Sequence, residues 1–577
     1  MRLLLLLLST PGVSSEAIVH ERNVAVPMRD GVVLRADVLR PDGAGPFPVL
    51  VYRTPYGKDR AVESYGIFRK AVARGYAVVA QDVRGRYASD GRFDPYRQEG
   101  RDGYDTIEWA AAQPWSNGRV GTFGLSYPGA VQWLAAVEAP PHLRAMAPAM
   151  TYATPENFFT SGGTYDLSWP AWIWLNISAD ARHRARLTGP ATGAEASAVW
   201  DTLGPRLLAR LPITDAPELR AVAPWYFEWL AHPPGDPWWN WATLAGKYGR
   251  VGAAVLNLSG WHDEAYGPDG ALRNFAGLAA SRPGDPRART IVGPWVHGIS
   301  PINDTTPGAK SGDRVFGAGA GLDYDELILR WMDRWVRELP NGADREPRVR
   351  VYVMGEGRWL EAESWPLPGA RADTLYLAPG HGRHGGLTPS APGTEGQSGF
   401  DSDPANPLSD PYYGRAGAHD YRALAGRPDV LVFETAPFPD GLRVVGRIQA
   451  EIYLSTDAPD TDLWVHLQDV APDGTAWNLM SPGLNVVRAS YREGGPTRRL
   501  LEPGRVYPLT FPNLLTGNFF RPGHRLRLVL SSAFMPHFSR NLHTGRLETE
   551  SADSRRAAIT IHHGGWNASR IVLPVIP

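Results

Sequence analysis

The chain has 577 residues, with 59 lysines and arginines against 60 aspartates and glutamates and a net charge of −1. That balance removes any electrostatic case for binding nucleic acid or an anionic surface. Cysteine is absent, which excludes disulfides, thiolate metal sites and a cysteine nucleophile, whereas 21 tryptophans speak for extensive apolar packing or pockets.

The chain opens on MRLLLLLLSTPGVSSEA, with one arginine, six leucines and the small residues Val13 and Ser15. Residues 1–15 resemble a secretory signal peptide with a short apolar run; the alternative is an unstructured leader, so secreted and cytoplasmic locations both stay open. No other stretch approaches the ~20 apolar residues that span a bilayer. After the Asp30-Gly31 turn signal, VLRADVLRP alternates apolar and polar side chains as a strand does. PVLVYRTP (48–55) and YAVVAQDVRG (76–85) are short Val-rich runs that suit buried parallel strands, with helix formers at 60–74 between them. A helix opening on acidic residues is expected over 102–113, a strand over 119–124 and a helix over 130–139. Strand and helix alternate, which is the pattern of an α/β fold.

Between residues 150 and 247 that pattern gives way to helix-favouring segments holding nine of the 21 tryptophans, as in SWPAWIWLN. This reads as a helical cap, residues 150–249, inserted into an α/β domain made of residues 16–149 and 250–340. The α/β pattern resumes at AAVLNLSGWHD (253–263) and RTIVGPWVHG (289–298) and closes on the amphipathic YDELILRWMDRWVREL (324–339). After the linker PNGADREP, short alternating strands separated by Gly, Pro and Asp turns predict an all-β sandwich over residues 348–577.

The chemistry turns on GTFGLSYPGA (121–130). A nucleophile elbow is written G-x-S-x-G, a sharp strand-to-helix turn that lifts a serine above the sheet. Gly124 fits, but Pro128 stands where the second glycine belongs and Gly129 follows one place late. A serine nucleophile needs a base, and the base an orienting acid, in the order Ser, Asp/Glu, His, each after a strand. Ser126, Asp263 and His297 meet that order and placement. Asp269 and Asp236 compete with the aspartate, and His262 and His232 with the histidine. Donors for an oxyanion are the backbone N–H of Tyr127 and, in the loop RTPYGKD, the phenol of Tyr56. No metal-ligand spacing such as H-E-x-x-H occurs, and neither a metal nor an organic cofactor is expected.

The stretches MRDGVVLRADVLRP, RTPYGK, QDVRGRYASDGRFDPY, GRVGTFGLSYPG, GWHDEAYG and GPWVHG together resemble one group of α/β-hydrolases. That group comprises the cocaine esterases, X-prolyl dipeptidyl peptidases and α-amino-acid ester hydrolases. Its elbow is G-x-S-Y-x-G, so a glycine at position 129 is the family pattern. The resemblance implies Ser126, Asp263 and His297 as catalytic triad, Tyr56 and Tyr127 as oxyanion donors, and a C-terminal jelly-roll domain. The α-amino-acid ester hydrolases carry an acidic pair two and three residues beyond the catalytic aspartate. This chain has Asp263-Glu264-Ala265-Tyr266-Gly267, which lacks the pair, and Glu264 reads as a solvated loop residue. The departure leans toward an acyl esterase acting on a small-molecule ester through a covalent acyl-enzyme. Trp169, Trp172 and Trp174 are then candidates for an aromatic pocket wall, with plain helix packing as the alternative. An X-Pro dipeptidyl peptidase, an amino-ester hydrolase and an inactive carbohydrate-binding relative are the other readings, and self-association into a homo-oligomer is left open.

Overall fold

The computed structural model describes residues 18–481 and 485–577, so the leader resembling a signal peptide lies outside the described residues. Strands β1 (Ile18–Pro27), β2 (Val33–Pro41), β3 (Phe47–Thr54), β4 (Ala77–Asp82), β5 (Ser116–Leu125) and β6 (Leu143–Ala149) are followed, after an excursion of about a hundred residues, by β7 (Ala254–Gly260), β8 (Ala288–Gly293), β9 (Val349–Val353) and β10 (Arg358–Ala362). They form one sheet in the order β1-β2-β4-β3-β5-β6-β7-β8-β9-β10. From β4 to β9 every pairing is parallel, and the hairpins at the two ends are antiparallel.

The parallel strands carry helices on both faces, which is why they are apolar at odd and even positions alike. Val49, Val51 and Val79 pack toward Trp133 and Phe275. Leu50, Val78 and Leu256 pack on the opposite side toward Phe68, Ile328 and Met332. Trp133 belongs to helix α4 (Tyr127–Ala136), which follows the helices α1 (Lys58–Ser64), α2 (Gly66–Ala73) and α3 (Glu99–Ala111). Every strand of the parallel core therefore ends, at its carboxyl end, on the same edge of the sheet, where open α/β sheets place their sites.

The excursion between β6 and β7 is mainly helical. Ser168–Trp172 runs through a wider turn, Ile173–Ile177, into Ser178–Ala185, and is joined by Gly193–Ala209 and Pro224–Ala231. Its core is a knot of rings in which Trp169, Trp172, Trp225 and Trp229 meet edge to face or tilted at 4.8–6.4 Å.

The C-terminal region is β-rich, a twelve-stranded sheet folded around Ile448, Ile452, Leu467, Leu509, Phe511 and Leu528. One part of the expected sandwich lies elsewhere. RVRVYV (348–353) and Arg358–Ala362 belong to the first sheet, as β9 and β10. Alternation alone does not say which sheet a strand joins; here the buried Val349 and Val351 pair with Thr290 and Val292 of β8. Among the described residues no helix is long and apolar enough to cross a membrane.

Candidate active site

The carboxyl end of β5 runs straight into α4, and the joint is Ser126. Its backbone is at φ 69° and ψ −127°, a region that non-glycine residues rarely occupy and that costs about 1–3 kcal/mol. The surroundings hold it there. The Ser126 N–H donates to Ala149 O at 2.9 Å, and the Ser126 carbonyl accepts from Gly129 and Ala130 at 2.8 and 2.9 Å. A Cβ on Gly124 would lie 2.5 Å from the Pro128 ring, and one on Gly129 would lie 2.7 Å from the Ala149 carbonyl. Pro128 therefore lies over Gly124 in the first turn of α4, where a missing N–H costs nothing, and Gly129 makes the close approach to β6. The Tyr127 N–H stands at the first position of α4, where an N–H has no intrahelical partner.

The Tyr127 side chain is a buried anchor. Its hydroxyl donates to Glu99 at 2.8 Å and accepts from the Tyr96 N–H at 3.1 Å, and Glu99 is paired with Arg53 at 2.8 Å. Burial pushes the Glu99 carboxyl up, with the Arg53 guanidinium opposing it. Trp172 stacks on Tyr127, 6.1 Å between rings and 6° from parallel. The same indole donates its N–H to the Tyr56 hydroxyl at 3.0 Å. That leaves the phenolic proton of Tyr56 to be donated elsewhere, and burial pushes its pKa up to about 12, so the proton stays on.

Asp263 follows β7 and His297 follows β8. The two loops meet through His297 Nδ1 and Asp263 Oδ1 at 2.8 Å, and the same carboxylate oxygen accepts from the Ala265 N–H at 3.1 Å. A carboxylate oxygen only accepts, so Nδ1–H of His297 donates to Asp263 and the neutral ring keeps Nε2 as an acceptor. Burial works against a charged His297 ring, but the neighbouring charges of Asp263 and then Glu264 outweigh it, so its pKa stands above the usual value of 6.5.

Ser126 and His297 line one cavity of about 190 Å³, walled by Phe158, Trp169, Trp172 and Tyr266. Trp174 does not line it. Its indole N–H donates to Ala196 O at 2.9 Å and Arg182 lies over its ring, so it packs helix against helix. The period of a helix places Trp169 and Trp172 on one face and Trp174 about 100° or more away from either.

The competing residues serve elsewhere. Asp236 takes His232 at 3.0 Å and caps Trp238, and Asp269 takes Arg273 at 2.8 Å. His262 is fully buried against the carbonyls of Pro294 and Asn478, and burial pushes its pKa down to about 4.

Three features were not visible in the sequence. Tyr266 faces His297 at 5.9 Å between rings and touches the Tyr96 hydroxyl at 3.1 Å, with Ser126 beside its own hydroxyl. A narrower chamber opens off the cavity, sharing Phe158, Asp166, Glu264, Ala265 and Tyr266 with it and closed by Met480, Leu515 and Phe538 of the β-rich domain. Burial pushes the carboxyls of Glu156 and Asp166 in that chamber up to about 7. Finally, Glu264 is not a free loop side chain: it accepts the backbone N–H of His297 at 3.0 Å and opens onto the cavity. No spacing rule finds such contacts, because they join loops that are distant in the chain.

The chain resembles known proteins over nearly its whole length. Residues 30–299 match the X-Pro dipeptidyl-peptidase S15 family, and residues 341–572 match the X-Pro dipeptidyl-peptidase C-terminal non-catalytic domain. The chain is 34% identical to the cocaine esterase of Rhodococcus sp. strain MB1 Bresler over 96% of its own length and 98% of that protein. Its fold is shared with an α-amino acid ester hydrolase, at a TM-score of 0.81, 23% identity and 98% coverage of both chains. An aminopeptidase from a marine sediment archaeon, Thaumarchaeota archaeon, is alike at a TM-score of 0.80 and 24% identity, with 99% of this chain and 98% of that one covered. With both halves of the chain matched and a relative this similar end to end, the protein belongs to the S15 family and is a serine hydrolase of α/β-hydrolase fold with a C-terminal β-rich domain.

Proposed function

We propose that the protein is an acyl esterase working through a covalent acyl-enzyme on Ser126. The observation that carries the reading is one cavity lined by a serine on a strained elbow and a histidine oriented by a buried aspartate, with the Tyr56 phenol set beside that serine behind Trp172. His297 Nε2 takes the Ser126 proton as Oγ attacks the carbonyl carbon and later returns it to the leaving oxygen. Asp263 fixes the ring and stabilises the imidazolium. The tetrahedral oxyanion is met by the Tyr127 N–H and the Tyr56 O–H, donors that need no reorganisation when charge develops. Water then attacks the acyl carbon with His297 again as base, releasing the acid and restoring Ser126. Phe158, Trp169 and Trp172 suit an aromatic or bulky apolar acyl group, as the likeness to cocaine esterase also suggests. In this reading residues 16–149 and 250–340, continued by β9 and β10, are the catalytic domain, and the cap roofs the serine.

A burst experiment with p-nitrophenyl acetate and butyrate tests this. Wild type should release about one equivalent of nitrophenol before steady turnover and show the acyl adduct by intact mass, and Ser126→Ala should do neither. Equal activity in both forms refutes the assignment of the serine.

One observation favours a second reading, in which the substrate carries a free ammonium. Glu156, Asp166 and Glu264 all face the side chamber. Phenylglycine methyl ester against methyl phenylacetate separates the two readings, since only the second predicts a lower KM for the amino ester, with the advantage greatest around pH 7, where ammonium and carboxylates are charged together, and falling at higher pH as the amine loses its proton.

A further inference from the structure

Two adjacent residues grip His297 in different ways. Asp263 takes the ring through Nδ1 at 2.8 Å, and Glu264 takes the backbone N–H at 3.0 Å. The first contact orients the imidazole; the second fixes the stretch of loop from which it hangs. Together they tie the loop after β8 to the loop after β7 at two points, so the ring cannot swing without breaking a charge-assisted hydrogen bond.

We infer that Glu264 is a positioning residue for the hydrolytic reaction, holding the His297 loop and adding a second negative charge to stabilise the imidazolium formed in each half-reaction. The inference rests on the reading of His297 as general base.

The electrostatic setting is one-sided. From the loop after β7, His297 is faced by Asp263, Glu264 and the neutral phenol of Tyr266; from the elbow, by the Ser126 hydroxyl; and from the cap, across the cavity, by Asp166. Among the described residues no lysine or arginine lines this cavity. Glu264 itself is faced by His297, by Asp263, and across the chamber by Asp166 and Glu156. Glu264 is exposed where the cavity opens, yet the walls around its carboxyl raise it above the usual carboxylate range, and the His297 charge opposes that most strongly. The two groups thus favour each other's charged form, which is the condition under which a carboxylate helps an imidazolium form.

The consequence has two opposite signs, which makes it testable. A second carboxylate makes His297 a stronger base in the transition state, raising the rate at the plateau. It also holds the resting ring protonated to higher pH, so the acid limb of kcat/KM lies further toward alkaline pH. Glu264→Gln keeps an oxygen to accept the His297 N–H but removes the charge. Its acid limb should move to lower pH, the fraction of plateau activity kept at pH 6 should rise about twofold or more, and the plateau kcat should fall about three- to tenfold. Glu264→Ala loses the hydrogen bond as well, and its kcat should fall further at every pH, with KM little changed.

Profiles of kcat/KM and kcat from pH 5 to 9 on p-nitrophenyl butyrate, with circular dichroism to establish folding, read all of this. An acid limb in Glu264→Gln that coincides with wild type overturns the electrostatic role. A wild-type kcat in Glu264→Ala overturns the positioning role. Full activity in His297→Gln would instead remove the reading on which the inference rests, and that outcome is distinct from the other two.

Discussion

Trp172 touches the proposed chemistry twice without a reactive atom of its own. Its ring covers Tyr127 and its N–H saturates one lone pair of the Tyr56 hydroxyl, so the phenol has a defined direction in which to donate. On the proposed assignment, Tyr56→Phe should lower kcat by about 10²–10³ with little change in KM, the size of effect found when one oxyanion donor is removed. Trp172→Phe keeps an aromatic wall and loses only the donor; its kcat should fall less, by about threefold to tenfold. Steady-state kinetics on p-nitrophenyl butyrate measures both. A Tyr56→Phe enzyme at full rate would leave the Tyr127 N–H without its partner in the scheme.

At the scale of the element, the elbow is set by contacts between β5, α4 and β6, and its glycines are there for space. Alanine in place of a helical glycine ordinarily stabilises by about 0.5–1 kcal/mol. Gly129→Ala should do the opposite. Its Cβ would meet the Ala149 carbonyl at 2.7 Å, and neither backbone can retreat without moving Ser126, whose N–H bonds that same carbonyl. A loss of about 2 kcal/mol or more is expected, seen as a lower midpoint in urea, together with a loss of acylation rate. This also explains why the late glycine is no defect. Pro128 occupies the second turn position against Gly124, and the small residue is needed where α4 crosses β6.

At the scale of the molecule, the helical excursion between β6 and β7, proposed above as a cap, is bonded to the β-rich domain. Arg488 donates its N–H to Gly162 O at 2.7 Å, and Ile213 donates to Glu548 O at 2.8 Å. The buried guanidinium of Arg488 then bridges Asp462 at 2.8 Å and Glu548 at 2.7 Å. Removing one partner from such a network leaves the others charged and buried, which costs about 3–5 kcal/mol. Arg488→Met should therefore lower the thermal midpoint strongly. Because Glu548 sits where the cap docks, it should also expose residues 150–249 to limited proteolysis before the rest of the chain, read by mass spectrometry of early fragments.

How much of this was legible in the sequence depended on whether the determinant was local. The parallel strands announce themselves because burial on both faces demands runs such as AVVAQD, and Ser126, Asp263 and His297 could be placed because each follows such a run in a fixed order. The elbow, too, was legible as a strand-to-helix joint with glycines where backbones meet. What the sequence by itself determined is therefore the α/β order, the mainly helical character of the stretch between β6 and β7, the β-rich C-terminal region and the candidates for the chemistry. Only the tertiary structure decided which sheet RVRVYV joins, that Trp174 turns away while Tyr266 and Phe158 turn in, and that Glu264 holds the His297 loop. The reason is physical: periodicity and turn chemistry are properties of neighbouring residues, whereas strand partners, cavity walls and the surroundings of a carboxylate are set by residues tens to hundreds of positions apart that meet only when the layers pack.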